Sequence, residues 1–480
     1  MANKKSNSKA PASKKISVWS LALMGFTCVW GFGNVANGFG YFGGTGVIVP
    51  WILVFVLYFA PYALMVGELG ATFKDKAGGV SSWIQETIGP KLAFFCGWIY
   101  WVVHTPYMSQ KPNNMIIAAN WAFFQNGSVS DYEVWAVQLI GLGIFILCVF
   151  LATRGISVIK VISSVAGMAS FAMGLLYILM VFTAPAINPG VHLNPIDFKL
   201  ESFIPSDATM LLNLSVLIFA VGGIEKLSPY VNQMKNGKRE FPMGMIFVVV
   251  MVTVCAFLGT FAMGMMFGPN NVPDGFLTNG QYQAFQMLGN YYNVGNLFVI
   301  IFAITNFITN FAVLIISLDA PLRIMLGNSD KKFIPAALLK TNKHGAYTNG
   351  ILLEFVIVSI LILIPCLGIS DIDALVKWLI KLNSVCMPLR YLFVFIAYIA
   401  LKKAAGKFKN DGYTFTKNKT LGMIAGGWCF LITAISCLSG MYSDDMFQLA
   451  ANVLTPVVLL ALGLILPKIA NRNKKAPAKK

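Results

Sequence analysis

Charge is scarce in this sequence. Aspartate, glutamate, lysine and arginine make up only 11% of its 480 residues, where an ordinary soluble domain carries about 25%. That shortage excludes a soluble domain of any size. Histidine is scarcer still: His104, His192 and His344 are scattered along the chain and offer neither a metal cluster nor a nucleophile–base pair. No metal, cofactor or catalytic residue is therefore expected, and an enzyme is the wrong class. The eight cysteines all fall in or beside apolar runs and none forms a C-x-x-C pair, so they read as small packing residues. Acids are outnumbered 19 to 36 by lysine and arginine, for a formal net charge of +17. The bases gather in short polar gaps and at the tails, which is the distribution of cytoplasmic membrane loops rather than of a nucleic-acid surface.

What the chain has is apolar length. Hydrophobic residues make up 57% of it, and runs longer than 18 residues recur throughout. The mean hydropathy is +0.70. These features predict an all-α polytopic membrane protein. Twelve spans are expected, at 16–42, 46–73, 91–124, 132–153, 159–184, 208–233, 242–268, 292–325, 348–369, 372–401, 420–441 and 446–468. The first run is too long for a signal-peptide core and lacks a small-residue cleavage site, so it is read as retained. Residues 1–15 form a disordered Lys/Ser/Ala/Pro tail and 469–480 a basic one. Gaps rich in lysine and arginine, at 74–91, 154–160, 234–241, 326–347 and 402–419, alternate with gaps in which Lys199 is the only such residue. An even count with both termini cytoplasmic, in the cell membrane, fits that alternation.

Two of the spans are interrupted. Gly31 to Gly40 reads G-F-G-N-V-A-N-G-F-G, poor material for a helix interior. In hydrocarbon a broken backbone survives only where it is buried in protein or lines a cavity. The alternative is that these glycines merely permit close helix packing. The sixth span repeats the feature at Phe219-Ala-Val-Gly222-Gly223-Ile-Glu225. Two breaks five spans apart are what a pair of inverted five-helix repeats would produce, with a polar substrate held between them.

Several short motifs resemble those of the amino acid–polyamine–organocation superfamily of transporters. Gly31-Phe32-Gly33 stands where that family usually has G-S-G. Glu68-Leu69-Gly70 resembles its acidic motif closing the second span. Gly78-Gly79, Trp83 and Gly89 look like its first cytoplasmic-loop pattern, and Asn236 to Pro242 follows N-P-x-R-x-x-P with Gly237 replacing the proline. Pro321-Leu322-Arg323 is similar to the P-S-R of the glutamate/GABA antiporter branch. The resemblance implies a LeuT-like fold: repeats at 16–184 and 208–401, plus two helices at 420–468. It also implies alternating-access transport of amino acids or their decarboxylated amines, by exchange or with protons. Substrate would lie against Gly31, Phe32, Gly33 and Asn34 at one break and Gly222 and Gly223 at the other, with Tyr107 and Phe219 beside it.

Ionisable groups inside the membrane are functional candidates by default. Glu225 is expected as a gate or proton-coupling residue. Lys111, in the polar patch Tyr107-Met-Ser-Gln-Lys111-Pro-Asn-Asn, could pair with Glu225 or meet an acidic side chain, and Lys381 could share that electrostatic role. His104 reads either as a titrating group or as a hydrogen-bonded helix contact, Glu354 as a packed tether. The leading function is an amino-acid antiporter or permease with a dicarboxylic or neutral substrate. An agmatine or putrescine antiporter is the alternative, and a transporter-like channel or nutrient sensor a remote one. Expected partners are the substrate and the lipid bilayer; protons and a second copy forming a homodimer are left open, and nucleic acid is excluded.

Overall fold

The computed structural model describes residues 16–76, 79–154, 157–328, 331–404, 406–408 and 412–475. The expected N-terminal tail, Gly78 of the loop motif and the last residues of the C-terminal tail lie outside them. Helices run in the order α1 (Val18–Val29), α2 (Gly33–Tyr41), α3 (Ile48–Val54), α4 (Ala60–Thr72), α5 (Val80–Thr87), α6 (Pro90–Val102), α7 (His104–Phe124), α8 (Val134–Ala152) and α9 (Ser157–Ile187). The second half continues with α10 (Asp207–Ala220), α11 (Gly237–Phe267), α12 (Phe276–Tyr291), α13 (Leu297–Asn328), α14 (Thr348–Leu363), α15 (Ile372–Cys386), α16 (Tyr391–Lys403), α17 (Lys419–Met441) and α18 (Met446–Lys475).

Ten of the described helical segments are long and apolar enough to cross a membrane, or eleven when α1 and α2, bent by 42°, are taken as one broken span. The expected span at 91–124 is not among them. It forms α6 and α7, and α7 carries Gln110, Lys111, Asn113 and Asn114, too polar a run for a lipid-facing helix. Two gaps read as loops also hold helices. Amphipathic α5 buries Val80, Trp83 and Ile84, and α12 buries Phe276, Tyr282, Phe285 and Leu288.

Local chemistry explains where the helices start and bend. Ser17, Ser206, Asp371 and Asn418 each cap a helix by accepting a backbone N–H three residues on. At Asp371 the Ser370 hydroxyl and the Ala374 N–H also hold the carboxyl below its usual range. Between α3 and α4 the backbone widens into a π turn at Phe55–Phe59. Pro61 has no N–H for the carbonyl of Leu57, and the Trp428 indole on α17 donates to that carbonyl at 3.0 Å.

A buried ion pair ties the C-terminal end of α4 to that of α16. Lys402 Nζ lies 2.6 Å from Glu68 Oε1, while Oε2 accepts from Tyr398 Oη at 3.0 Å and the Phe415 N–H at 2.9 Å. Removing one member of such a pair strands the other. Glu68→Ala should therefore cost about 3–5 kcal/mol, read as a lowered melting temperature in detergent, and Glu68→Ala with Lys402→Met should recover part of the loss.

Candidate functional site

The two interruptions meet. Between α1 and α2 the chain leaves the helix at Trp30, whose φ is −121° and ψ 140°. Between α10 and a ten-residue 3-10 segment, Ile224–Gln233, it turns at Gly223 with φ +107°. That angle is in the region glycine favours. The Asn34 amide donates to the Ala220 carbonyl at 3.5 Å, joining the start of α2 to the end of α10. A Cβ on Gly223 would sit 3.1 Å from the Cys28 carbonyl. Helix starts present unpaired N–H groups and helix ends unpaired carbonyls. Both kinds therefore converge here, suited to the carboxylate and the ammonium of an amino acid.

A cavity of about 240 Å³ opens at this junction. Gly31, Phe32, Gly33, Asn34, Tyr107, Phe219 and Gly222 all border it, as does Lys111, whereas Gly223, Glu225 and Lys381 do not. A Cβ on Gly31 would find open space, so no steric reason demands glycine there. Gly222 is different, because a Cβ would fall 1.9 Å from the Tyr391 hydroxyl. Phe32 turns its ring into an aromatic cluster with Tyr177, Phe285 and Phe302, at centroid distances of 4.7, 5.1 and 5.6 Å.

Glu225 does not pair with Lys111. It is fully buried and faces Arg390, whose Nε lies 3.2 Å from its Oε1. The two are close opposite charges rather than an aligned hydrogen bond. Tyr62 donates its hydroxyl to Glu225 Oε2. Arg390 also donates to His104 Nε2 at 2.7 Å and to the Tyr391 hydroxyl at 3.3 Å. Since arginine only donates, His104 Nε2 accepts, and Nδ1 carries the proton it gives to the Tyr100 carbonyl at 2.6 Å. His104 is thus a hydrogen-bonded helix contact. Lys111 instead donates to Asn310 Oδ1 at 3.3 Å and lies 4.1 Å over the Tyr107 ring. Lys381 is held on α10 by the Leu212 carbonyl at 2.8 Å and Asn213 Oδ1 at 2.7 Å. Glu354 accepts from the Trp101 indole at 3.0 Å.

Sequence reasoning passed over Arg390, Tyr62 and Lys226. Arg390 is the one arginine in the apolar span 372–401, nine residues beyond Lys381, and a charge so placed is the signal that marks it. Lys226 follows Glu225 directly and borders the cavity. No aspartate or glutamate borders it among the described residues, whereas Lys111, Lys226 and Arg390 do.

A family model described as amino acid permease matches residues 16–464. The chain belongs to that family. This permease is 47% identical over 475 residues to an aspartate/glutamate permease, AcaP, of Lactococcus lactis subsp. cremoris, covering 96% of this chain and 97% of that one. It is 27% identical to the inner membrane transporter YjeM of Salmonella typhimurium, over 88% of this chain and 89% of that one. A glutamate/gamma-aminobutyrate antiporter of Lactococcus lactis subsp. lactis is 23% identical over 72% of this permease and 68% of its own length. The expected superfamily is therefore the right one, the expected resemblance to the glutamate/GABA antiporter is present at lower identity, and the chain is a multi-pass membrane transporter.

The crowding at the two glycine breaks differs, and so should their tolerance. Gly31→Ala should leave the melting temperature of the detergent-solubilised protein essentially unchanged. Gly222→Ala must displace the Tyr391 ring and should lower it by several degrees.

Proposed function

We propose that this permease is a secondary active transporter of acidic amino acids across the cell membrane. The observation that carries this reading is the charge of the cavity. Glu225 and Arg390 offset each other, and Lys111 and Lys226 remain with no carboxylate bordering the space among the described residues. Uncompensated cations in a low-dielectric site favour an anion strongly. A dicarboxylic amino acid supplies net negative charge. Agmatine and putrescine would bring like charge to two lysines, so the amine-antiporter reading is the weaker one. Similarity to an aspartate/glutamate permease over nearly the whole chain supports the same choice.

The working architecture is a LeuT-like arrangement of twelve spans with both termini cytoplasmic. Inverted repeats at 16–184 and 208–401 would rock around the junction, and 420–468 would supply two further helices. The breaks in α1–α2 and in α10 with its 3-10 continuation support it. In the substrate complex the backbone at Gly31–Gly33 and Gly222–Gly223 would hold the α-carboxylate and α-ammonium. Glu225, buried behind Arg390, is the group placed to link a proton to the charge facing the substrate.

Uptake of labelled glutamate into proteoliposomes should be inhibited by unlabelled glutamate and aspartate, and far less by arginine, agmatine or putrescine. Inhibition by the dications alone would reverse the assignment. Glu225→Gln keeps an acceptor for Tyr62 but removes the carboxyl proposed to couple a proton, so it should flatten the pH dependence of uptake. A wild-type pH profile in that variant would remove Glu225 from proton coupling.

A further inference from the structure

We infer that Lys226 ligates the side-chain carboxylate of the substrate and sets the preference for acid over amide. The inference rests on the acidic-substrate reading and assigns that preference to one residue. Three cations border the cavity, and two of them are already engaged. Arg390 faces Glu225 and donates to His104 and Tyr391. Lys111, nearly buried, donates to Asn310, which is itself fixed by two 2.8 Å contacts to the Asn306 carbonyl and amide oxygens.

Lys226 is the exception. It is half-buried, its stem is anchored in the fold, and its ammonium has no hydrogen bond or ion pair among the described residues. Its Nζ lies 5.9 Å from the centroid of the Tyr107 ring. The neighbouring carboxylate, Glu225, is turned away toward Arg390 and Tyr62. A Cβ on Gly223 would lie 3.8 Å from Lys226 Cε as well as 3.1 Å from the Cys28 carbonyl, so the lysine stem passes over the crossing of the two breaks. An amino acid held by its backbone at that crossing projects its side chain among groups that include this ammonium.

Lysine suits the task chemically. An ammonium is a point charge on a flexible stem and does not demand the fork geometry that arginine imposes. One such residue can therefore meet a carboxylate on a shorter or a longer side chain. A hydrogen bond to a charged partner is worth more than one to a neutral amide, so the discrimination falls between glutamate and its isostere glutamine.

Binding of glutamate and of glutamine to the purified full-length protein, by isothermal titration, tests this. Wild type should favour glutamate by about tenfold or more. Lys226→Met should lose that preference by weakening glutamate while leaving glutamine within about threefold, and Lys226→Arg should retain it. A Lys226→Met protein that still prefers glutamate overturns the role of Lys226 and leaves the acidic-substrate reading standing. A wild-type protein with no preference, and no glutamate uptake, overturns that reading instead. Loss of both ligands in Lys226→Met and Lys226→Gln alike would make the lysine structural and also overturn the proposal.

Discussion

The neutralisation of Glu225 by Arg390 decides the electrical character of everything around it. Both side chains are excluded from solvent, with relative exposures of 0% and 1%. Leaving either one alone in such a place would be costly. Tyr62 on the carboxylate, and His104 and Tyr391 on the guanidinium, take up the remaining polar atoms. The acid of the broken sixth span is thereby withdrawn from the cavity and the lysines are left unopposed. Had Glu225 faced the cavity with Arg390 turned away, one carboxylate would stand against the two lysines and much of the excess positive charge would be gone.

The glycines around the junction serve geometry more than chemistry. Gly222 lets the Tyr391 hydroxyl come against the backbone, and Gly223 takes a left-handed angle that carries the chain from α10 into its 3-10 continuation. Tyr391 in turn accepts from Arg390. The break is thus linked through Tyr391 to the arginine that faces Glu225.

Much of this was legible in the chain. The glycines at 31–33 and 222–223 marked both breaks, and most expected spans end within a few residues of the observed helices, as at Thr45–Thr72 against 46–73. The site's electrostatics were less so. Lys111 and Glu225 stood out as charges in apolar runs, but pairing depends on which spans adjoin. Nothing local says that α16 follows a segment bringing Arg390 to Glu225, 165 positions earlier in the chain. The helix α12 was hidden for a different reason. Its apolar residues lie on one face within a polar segment, so average hydropathy misses it, although Gln281 and Tyr282 on it border the cavity.

Under the proposed acidic-substrate reading, Phe32 is the reason so much of the selectivity would fall to lysines. The family's usual serine would place a hydroxyl at the first break, where it could help hold a carboxylate. Here an aromatic ring stands instead, packed against Tyr177, Phe285 and Phe302, and it closes one wall of the cavity with apolar surface. In that reading, recognition of the amino-acid backbone would fall on the N–H groups and carbonyls of the broken helices. Those groups are common to every amino acid and cannot tell one side chain from another. Discrimination must come from what lies beyond the breaks. In this permease that region holds tyrosine, asparagine and two lysines, with no carboxylate bordering it among the described residues. On the proposed reading, such a site would gain most from a substrate that brings its own second negative charge.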